Sequence, residues 1–180
     1  MIDKSAARTA ALARRAAAHV AGAATAGYLS EVLAGYRGVP LAGYLPMRSE
    51  IDPTPAMAEA AAHGAVGVPV IIAKATPLQF RTWDPDGALI PGTFGTQIPA
   101  IGEPMIPQIL IVPLVAFSRS GGRLGYGGGF YDRTLEKLRA RGPVMAIGFA
   151  YAAQEDPALP LEITDQPLDL IVTEKGVITP

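Results

Sequence analysis

The chain of 180 residues contains no cysteine. This absence excludes disulfide bonds, thiolate catalysis and zinc–thiolate sites, and it fits a reducing cytoplasm. An excess of positive charge is also missing, because 15 Lys and Arg face 16 Asp and Glu, for a formal net charge of −1. Proteins that bind nucleic acid by neutralising phosphates need a basic surface, and no basic block here exceeds the Arg14-Arg15 pair. We therefore expect no nucleic-acid partner.

Long apolar runs are missing as well. No stretch approaches the ~18–20 residues that cross a bilayer, and Arg8, Arg14 and Arg15 interrupt the Ala-rich residues 1–20, unlike the apolar core of a secretory signal. An Arg-containing transit peptide is harder to exclude, but the helix predicted there is expected to belong to the fold. Hydrophobic residues still make up 49% of the chain, enough for one well-buried domain over residues 1–180. We expect a cytoplasmic monomer without a membrane partner.

Apolar periodicity predicts helices and strands in alternation. Helices are predicted at residues 3–21, 25–35, 54–63 and 132–141, and strands at 41–45, 68–73, 79–83, 109–112, 144–150 and 169–173. Thr54 is the predicted cap of the third helix, and the Gly- and Pro-rich residues 88–107 are predicted to be mostly loop. Alternation of this kind favours a single-domain α/β fold, a doubly wound, mostly parallel and Rossmann-like sheet flanked by helices.

The most informative segment is residues 121–133, with the sequence GGRLGYGGGFYDR. It lies between the predicted strand at 109–112 and a predicted helix, where loop amides and the positive end of the helix dipole bind phosphates. Arg123 adds a planar cation suited to phosphate oxygens, and Asp132 adds a carboxylate suited to a divalent metal. Neither a Walker A sequence nor a Rossmann fingerprint is present. Nucleotide chemistry is the leading interpretation, with a tight turn as the structural alternative.

These residues give the chain a family resemblance. Ile111-Val112-Pro113, Ala116-Phe117 and the run from Gly122 to Arg133 are similar to the 5-formyltetrahydrofolate cyclo-ligase family. Further similar segments, in the family order, are Lys4-x-x-x-Arg8, Tyr44 with Glu50-Ile51-Asp52, Ile101-Gly102-Glu103-Pro104, Gly148-Phe149-Ala150, Leu161-Glu162, Thr164-Asp165, Leu168-Asp169 and Val172-Thr173-Glu174. Departures from the family pattern occur at Gln108, Ser118, Phe130 and Thr164.

The resemblance implies an ATP- and Mg²⁺-dependent enzyme that converts 5-formyltetrahydrofolate to 5,10-methenyltetrahydrofolate and releases ADP and phosphate. Transfer of the γ-phosphoryl group to the formyl oxygen would activate the formyl carbon, N10 would attack it, and phosphate would leave. The protein's task would be positioning and charge neutralisation. The alternative is a non-catalytic folate- or nucleotide-binding module on the same scaffold.

The resemblance also implies residue roles. Lys4 and Arg123 are the expected catalytic cations, and Asp132 and Asp165 the expected Mg²⁺ ligands. Expected ATP contacts are Lys4, Arg8, Arg123, Leu124, Gly125, Tyr126, Gly127, Gly128, Gly129, Phe130 and Tyr131. Expected folate contacts are Leu45, Glu50, Tyr126, Gly127, Gly128, Gly129 and Phe130, with Glu50 accepting hydrogen bonds from the pterin.

Each role has a structural alternative. Lys4 and Arg8, at positions i and i+4, can form a solvated cationic stripe. Glu50 can be a surface or capping acid, Asp132 a helix N-terminal acid, and Asp165 a turn residue. Leu45 and the aromatic residues can be plain core, and Trp83 and Phe80 offer only weak candidates for covering the folate ring. Arg14, Arg15, His19 and His63 are assigned no role in ligand binding, the arginines as surface residues and the histidines as structural ones.

Overall fold

The computed structural model describes residues 3–22 and 25–180. The helices are α1 (Lys4–Ala21), α2 (Gly27–Ala34), α3 (Thr54–Ala61) and α4 (Phe130–Arg139), with short 3₁₀ turns at Thr93–Gly95 and Ala152–Gln154. The strands are β1 (Leu41–Ala42), β2 (Val66–Val70), β3 (Gln79–Thr82), β4 (Leu89–Pro91), β5 (Gln97–Pro99), β6 (Pro104–Met105), β7 (Ile109–Pro113), β8 (Ala116–Phe117), β9 (Arg123–Leu124), β10 (Met145–Phe149), β11 (Leu170–Thr173) and β12 (Gly176–Ile178).

Eight strands form the main sheet, in the order β12-β11-β10-β7-β1-β2-β3-β6. Strands β11, β10, β7, β1 and β2 are parallel, and β12, β3 and β6 pair antiparallel at the two edges. The chain goes from β1 to β2 on one side and later returns to β7 on the other side. The strand order therefore reverses between β1 and β7, and such a reversal is where open α/β sheets bind ligands.

Both faces of the sheet are covered, as a doubly wound fold requires. Ile109 and Ile111 of β7 pack in one core cluster with residues of α2 and α3. Leu110 and Val112 pack in a second cluster with Leu135 of α4. The first four of the five β7 residues are buried, because a central parallel strand has helices on both sides. The predicted fold class is confirmed.

Helix α1 begins where the Asp3 side chain accepts a hydrogen bond from the Ser5 backbone N–H, and it ends at Gly22 in the left-handed conformation. Its buried Ala11 joins a third cluster with Leu124 of β9 and Val115. The helix therefore lies beside the β8–β9 hairpin, which leads into the glycine-rich loop. Within residues 3–22 and 25–180, no helix is both long and apolar enough to span a membrane.

Several predicted local features are wrong. Strand β1 ends at Ala42 rather than at residue 45, and the Tyr44 hydroxyl turns back to donate to Ile51 O at 2.7 Å. Thr54 is the first residue of α3 rather than its cap, because Pro53 occupies the N-cap position. Asp52 Oδ1 accepts hydrogen bonds from both the N–H and the hydroxyl of Thr54. Strands also form where the sequence predicted otherwise: β4, β5 and β6 lie in the predicted loop at 88–107, and β12 follows the predicted last strand.

Candidate active site

The glycine-rich loop connects β9 to α4, and its Tyr126 reaches Glu50 in the loop that follows β1. Gly127 (φ 101°) and Gly129 (φ 68°) have left-handed backbones, which L side chains rarely adopt. A Cβ atom at Gly127 would also lie 3.3 Å from Cζ of Arg8. Glycine is therefore required here both for the path of the loop and for the approach of a cation from α1.

Two arginines hold this loop by its carbonyl oxygens. Arg8 Nε donates to Gly125 O at 2.9 Å, so the predicted phosphate ligand of α1 does reach the loop. Arg133 Nη1 donates to Gly128 O at 2.6 Å from the first turn of α4. Sequence reasoning assigned no role to Arg133, although it ends the glycine-rich motif. These bonds use only carbonyl oxygens of the loop, so they do not occupy the loop N–H groups that could bind an anion.

Arg123 lies on β9 beneath the loop, with only 6% of its side chain exposed. Its Nη2 donates to Asp132 Oδ1, and its buried Nε has no acceptor among the residues that the structure describes. Burial lowers the pKa of Arg123, and the negative charges of Asp132 and Asp165 oppose that shift. The guanidinium remains charged, and a buried cation with an unused donor is suited to an incoming anion.

A cleft of about 130 Å³ lies next to Arg123, and Glu162, Asp165 and Gln166 form part of its lining. Lys4 Nζ reaches over from α1 to Glu162 Oε1 at 3.0 Å and Asp165 Oδ2 at 3.6 Å. Sequence reasoning placed Glu162 in a family-like segment but gave it no role. The structure thus brings Lys4 and Asp165 together, as ion-pair partners.

The two predicted metal ligands, Asp132 and Asp165, both lie close to Arg123. They do not form a complete metal site on their own. Within the described residues, no group of three or more His, Cys, Asp or Glu side chains could hold a metal ion. Asp132 uses Oδ1 for both Arg123 and the Gln166 N–H, and Asp165 uses Oδ2 for the Glu162 N–H. The second oxygen of each carboxylate makes none of these contacts. This pair fits Mg²⁺ that is held mainly by phosphates and water, which is how Mg²⁺ commonly binds in nucleotide sites.

Glu50 lies in the loop after β1 and is 6% exposed. Its Oε1 accepts a hydrogen bond from the Tyr126 hydroxyl at 2.9 Å, and its Oε2 accepts one from the Met47 N–H at 2.9 Å. Burial raises the pKa of Glu50, although these bonds and the nearby Arg15 and Arg48 favour the carboxylate. Burial and the Glu50 charge also raise the pKa of Tyr126 to about 12, so its hydroxyl remains a donor. The predicted folate loop and the glycine-rich loop therefore meet at this hydrogen bond.

The remaining predicted residues lie at different depths. Leu45 is half-buried and packs against the core cluster beneath α2 and α3. Phe130 and Tyr131 pack partly on the α4 side of the sheet, where burial raises the pKa of Tyr131. Leu124 is 2% exposed, so its side chain belongs to the core.

Four further residues considered in the sequence predictions lie outside the predicted site. His19 Nδ1 lies 2.9 Å from the Tyr151 hydroxyl. His63 is on the surface. Phe80 is 5% exposed in the core. Trp83 packs against the core cluster beneath α2 and α3.

The surface assignment of Arg15 is wrong. This side chain is 1% exposed and lies between the Glu50 loop and Tyr126, where its guanidinium carbon is 5.3 Å from the centre of the Tyr126 ring. A helix-period pattern places cations opposite an Ala-rich face, but it does not show that two loops cover part of the cationic face. Arg14, by contrast, has 39% of its side chain exposed.

The model of the 5-formyltetrahydrofolate cyclo-ligase family matches residues 4–174. The chain belongs to that family. The match extends from Lys4 in α1 to Glu174 after β11, and so includes every residue assigned to the site.

Individual relatives agree with the family assignment. The 5-formyltetrahydrofolate cyclo-ligase of Haemophilus influenzae is 40% identical over 101 residues, which cover 53% of this chain and 54% of that protein. The cyclo-ligase of Mycolicibacterium smegmatis is 35% identical over 127 residues, covering 67% of this chain and 57% of that protein. The chain thus spans about half the length of these curated relatives. The NMR structure of 5,10-methenyltetrahydrofolate synthetase from Aquifex aeolicus matches with a TM-score of 0.73 at 28% identity, covering 98% of this chain and 92% of that chain.

Proposed function

We propose that this cyclo-ligase family member converts 5-formyltetrahydrofolate to 5,10-methenyltetrahydrofolate with ATP and Mg²⁺, releasing ADP and phosphate. The observation that carries the proposal is the position of Tyr126. It belongs to the glycine-rich loop held by Arg8, and its hydroxyl donates to Glu50 in the loop after β1. A candidate anion site and a buried carboxylate therefore contact each other through Tyr126, and a reaction between ATP and a folate would need two such sites side by side.

The proposed phosphate end consists of the N–H groups of residues 127–129 and the cations Lys4, Arg8 and Arg123. A formyl oxygen is a poor leaving group until it carries a phosphoryl group, and charge then develops on the transferred oxygens. Arg123 lies where water is largely excluded, so its charge is less screened there than at the surface. Asp132 and Asp165 would hold Mg²⁺, which would neutralise phosphate charge and help to align the γ-phosphoryl group.

The proposed folate end is organised by Glu50. With Oε2 on the Met47 N–H and Oε1 on the Tyr126 hydroxyl, the carboxylate has a fixed orientation and retains lone pairs for further donors. Donors on the pterin would occupy them and orient the ring, and we expect this orientation to direct N5 and its formyl group toward the phosphate end. Attack by N10 on the activated formyl carbon then closes the ring, and phosphate departs.

The decisive experiment mixes pure protein with 5-formyltetrahydrofolate, ATP and Mg²⁺ and follows the absorbance of the methenyl product. We expect product formation that needs all three components and that falls strongly in Arg123→Ala. The matched control is Arg119→Ala, because Arg119 is an exposed arginine that pairs with Glu155. Folate binding without product formation would instead support a non-catalytic binding module on the same scaffold.

A further inference from the structure

Arg15 is a buried cation that the proposed mechanism does not use. It is 1% exposed, and its guanidinium donates to Ser49 Oγ at 2.9 Å and to Leu114 O at 3.2 Å. Its Nη2 is buried and finds no acceptor within residues 3–22 and 25–180. Burying a charge with neutral partners and an unused donor disfavours folding relative to a well-packed apolar side chain. The charge of the nearby buried Glu50 offsets part of this cost, which links Arg15 to the carboxylate of the proposed folate end.

The contacts of Arg15 connect the elements that build the folate end. Ser49 directly precedes Glu50, Leu114 follows the central strand β7, and the Tyr126 ring lies 5.3 Å from the guanidinium carbon. A guanidinium near an aromatic ring is attracted by its π-electrons. Tyr126 in turn donates to Glu50 at 2.9 Å, so Arg15 contacts residues on both sides of that hydrogen bond.

We propose that Arg15 is a positioning residue for the folate end of the site. It holds the Ser49-Glu50 turn against Tyr126 so that the Glu50 carboxylate is aligned before the folate binds. The inference rests on the proposed function, because it requires that Glu50 binds the folate. The planar fork matters as well as the charge, because Nε and Nη1 donate to different segments at once.

The test compares Arg15→Gln, Arg15→Lys and Ser49→Ala with the parent protein. Arg14→Gln is the matched control, because its side chain is 39% exposed and faces Ala153 O and Asp156. Steady-state kinetics gives KM for each substrate, calorimetry gives Kd for 5-formyltetrahydrofolate, and thermal unfolding reports the fold. We expect Arg15→Gln to raise folate KM and Kd by about tenfold or more, while ATP KM stays within about twofold.

The other variants show whether geometry is the cause. Arg15→Lys restores charge without the fork and should recover only part of the folate affinity. Ser49→Ala should shift folate affinity in the same direction by a smaller factor, and adding it to Arg15→Gln should change little, because the two residues share one contact. Arg14→Gln should match the parent protein.

Two results would overturn the inference alone. One is parent-like folate affinity in a folded Arg15→Gln protein; the other is an equal loss of ATP and folate affinity together with a lower Tm, which identifies plain core packing. If Arg15→Gln does not fold, Ser49→Ala decides the matter, and an unchanged folate Kd rejects the inference. A parent protein that forms no product and binds no folate rejects the proposed function itself, and the assignment of Arg15 with it.

Discussion

Replacing Glu50 with glutamine tests the folate end while changing its shape very little. The parent carboxylate accepts hydrogen bonds from the Met47 N–H and the Tyr126 hydroxyl, each at 2.9 Å. A glutamine can keep both contacts, because its carbonyl oxygen accepts from Met47 while its NH₂ donates to a Tyr126 hydroxyl that has rotated its hydrogen away. The loop and the neighbouring phosphate end should therefore keep their structure.

The loss should appear in folate binding. A charge-assisted hydrogen bond is about 1–2 kcal/mol stronger than a neutral one, which corresponds to about 5- to 30-fold in Kd for one ligand donor. A second pterin donor would face the amide NH₂ and add a similar penalty. We expect Glu50→Gln to raise the Kd of 5-formyltetrahydrofolate by about 10- to 100-fold, with ATP affinity close to that of the parent protein.

Glu50→Gln should weaken folate binding but raise the stability of the fold relative to the parent protein as the pH rises. Burial raises the pKa of Glu50 above its usual value, so the folded chain retains this proton at a pH where the unfolded chain has lost it. The contribution of Glu50 to stability is therefore most favourable below the unfolded-state pKa and falls as the pH rises through the folded-state pKa. Glu50→Gln lacks this titration, so its Tm relative to the parent protein should rise across that window.

The assay is calorimetric titration of each ligand into each variant, together with thermal unfolding across the same pH window. Glu59→Gln, which removes an exposed carboxylate of α3, is the matched control for the change in net charge. Equal losses of ATP and folate affinity in Glu50→Gln with a lowered Tm would refute the reasoning. Glu50 would then be a structural residue, and the pterin would not lie beside Leu45 and Glu50.

The remaining predictions concern the phosphate end. Arg123→Ala should lower kcat, because the activation free energy should rise by about 2–4 kcal/mol, while the folate Kd changes little. Parent-like turnover in the folded variant would reject the role of Arg123. Asp132→Asn and Asp165→Asn should each raise the Mg²⁺ concentration needed for activity, whereas titration curves that overlay the parent curve would make both residues structural. Lys4→Ala should weaken ATP binding and leave the folate Kd unchanged. Glu162→Ala, which removes the closer ion-pair partner of Lys4, should not weaken ATP binding. Calorimetry measures both affinities.

The fold was predictable where periodicity alone decides it. Strand β7 is apolar at every position from Ile109 to Val112. A strand that is covered on both faces needs such a continuous apolar run, so the sequence indicates its place in the centre of the sheet. The end of β1 was not predictable in this way, because its apolar run continues through Tyr44 and Leu45 after the ladder has ended. Tertiary contacts decide there: the Tyr44 hydroxyl bonds to Ile51 O within the following turn, which the order of apolar residues does not reveal.

The candidate site was predictable where backbone conformation dictates the residue. Gly127 and Gly129 need left-handed backbones, so the glycine-rich motif indicates the loop before any coordinate is known. Arg15 was missed for the opposite reason. A cation on an Ala-rich helix has the same local pattern whether solvent or a loop covers it, and the cover comes from Ser49 and Tyr126, distant in sequence.

The charges of the phosphate end explain how this site remains folded without a ligand. Each cation that is predicted to be catalytic lies near one proposed metal ligand, with Lys4 near Asp165 and Arg123 bonded to Asp132. Neither sign is left uncompensated, which matters most for Arg123 because its charge is buried. Under the proposed function, ATP supplies anionic oxygens for the cations, and Mg²⁺ supplies a cation for the carboxylates. Each pair could then exchange one opposite charge for another, so that the charges would have partners both before and after the two groups bind.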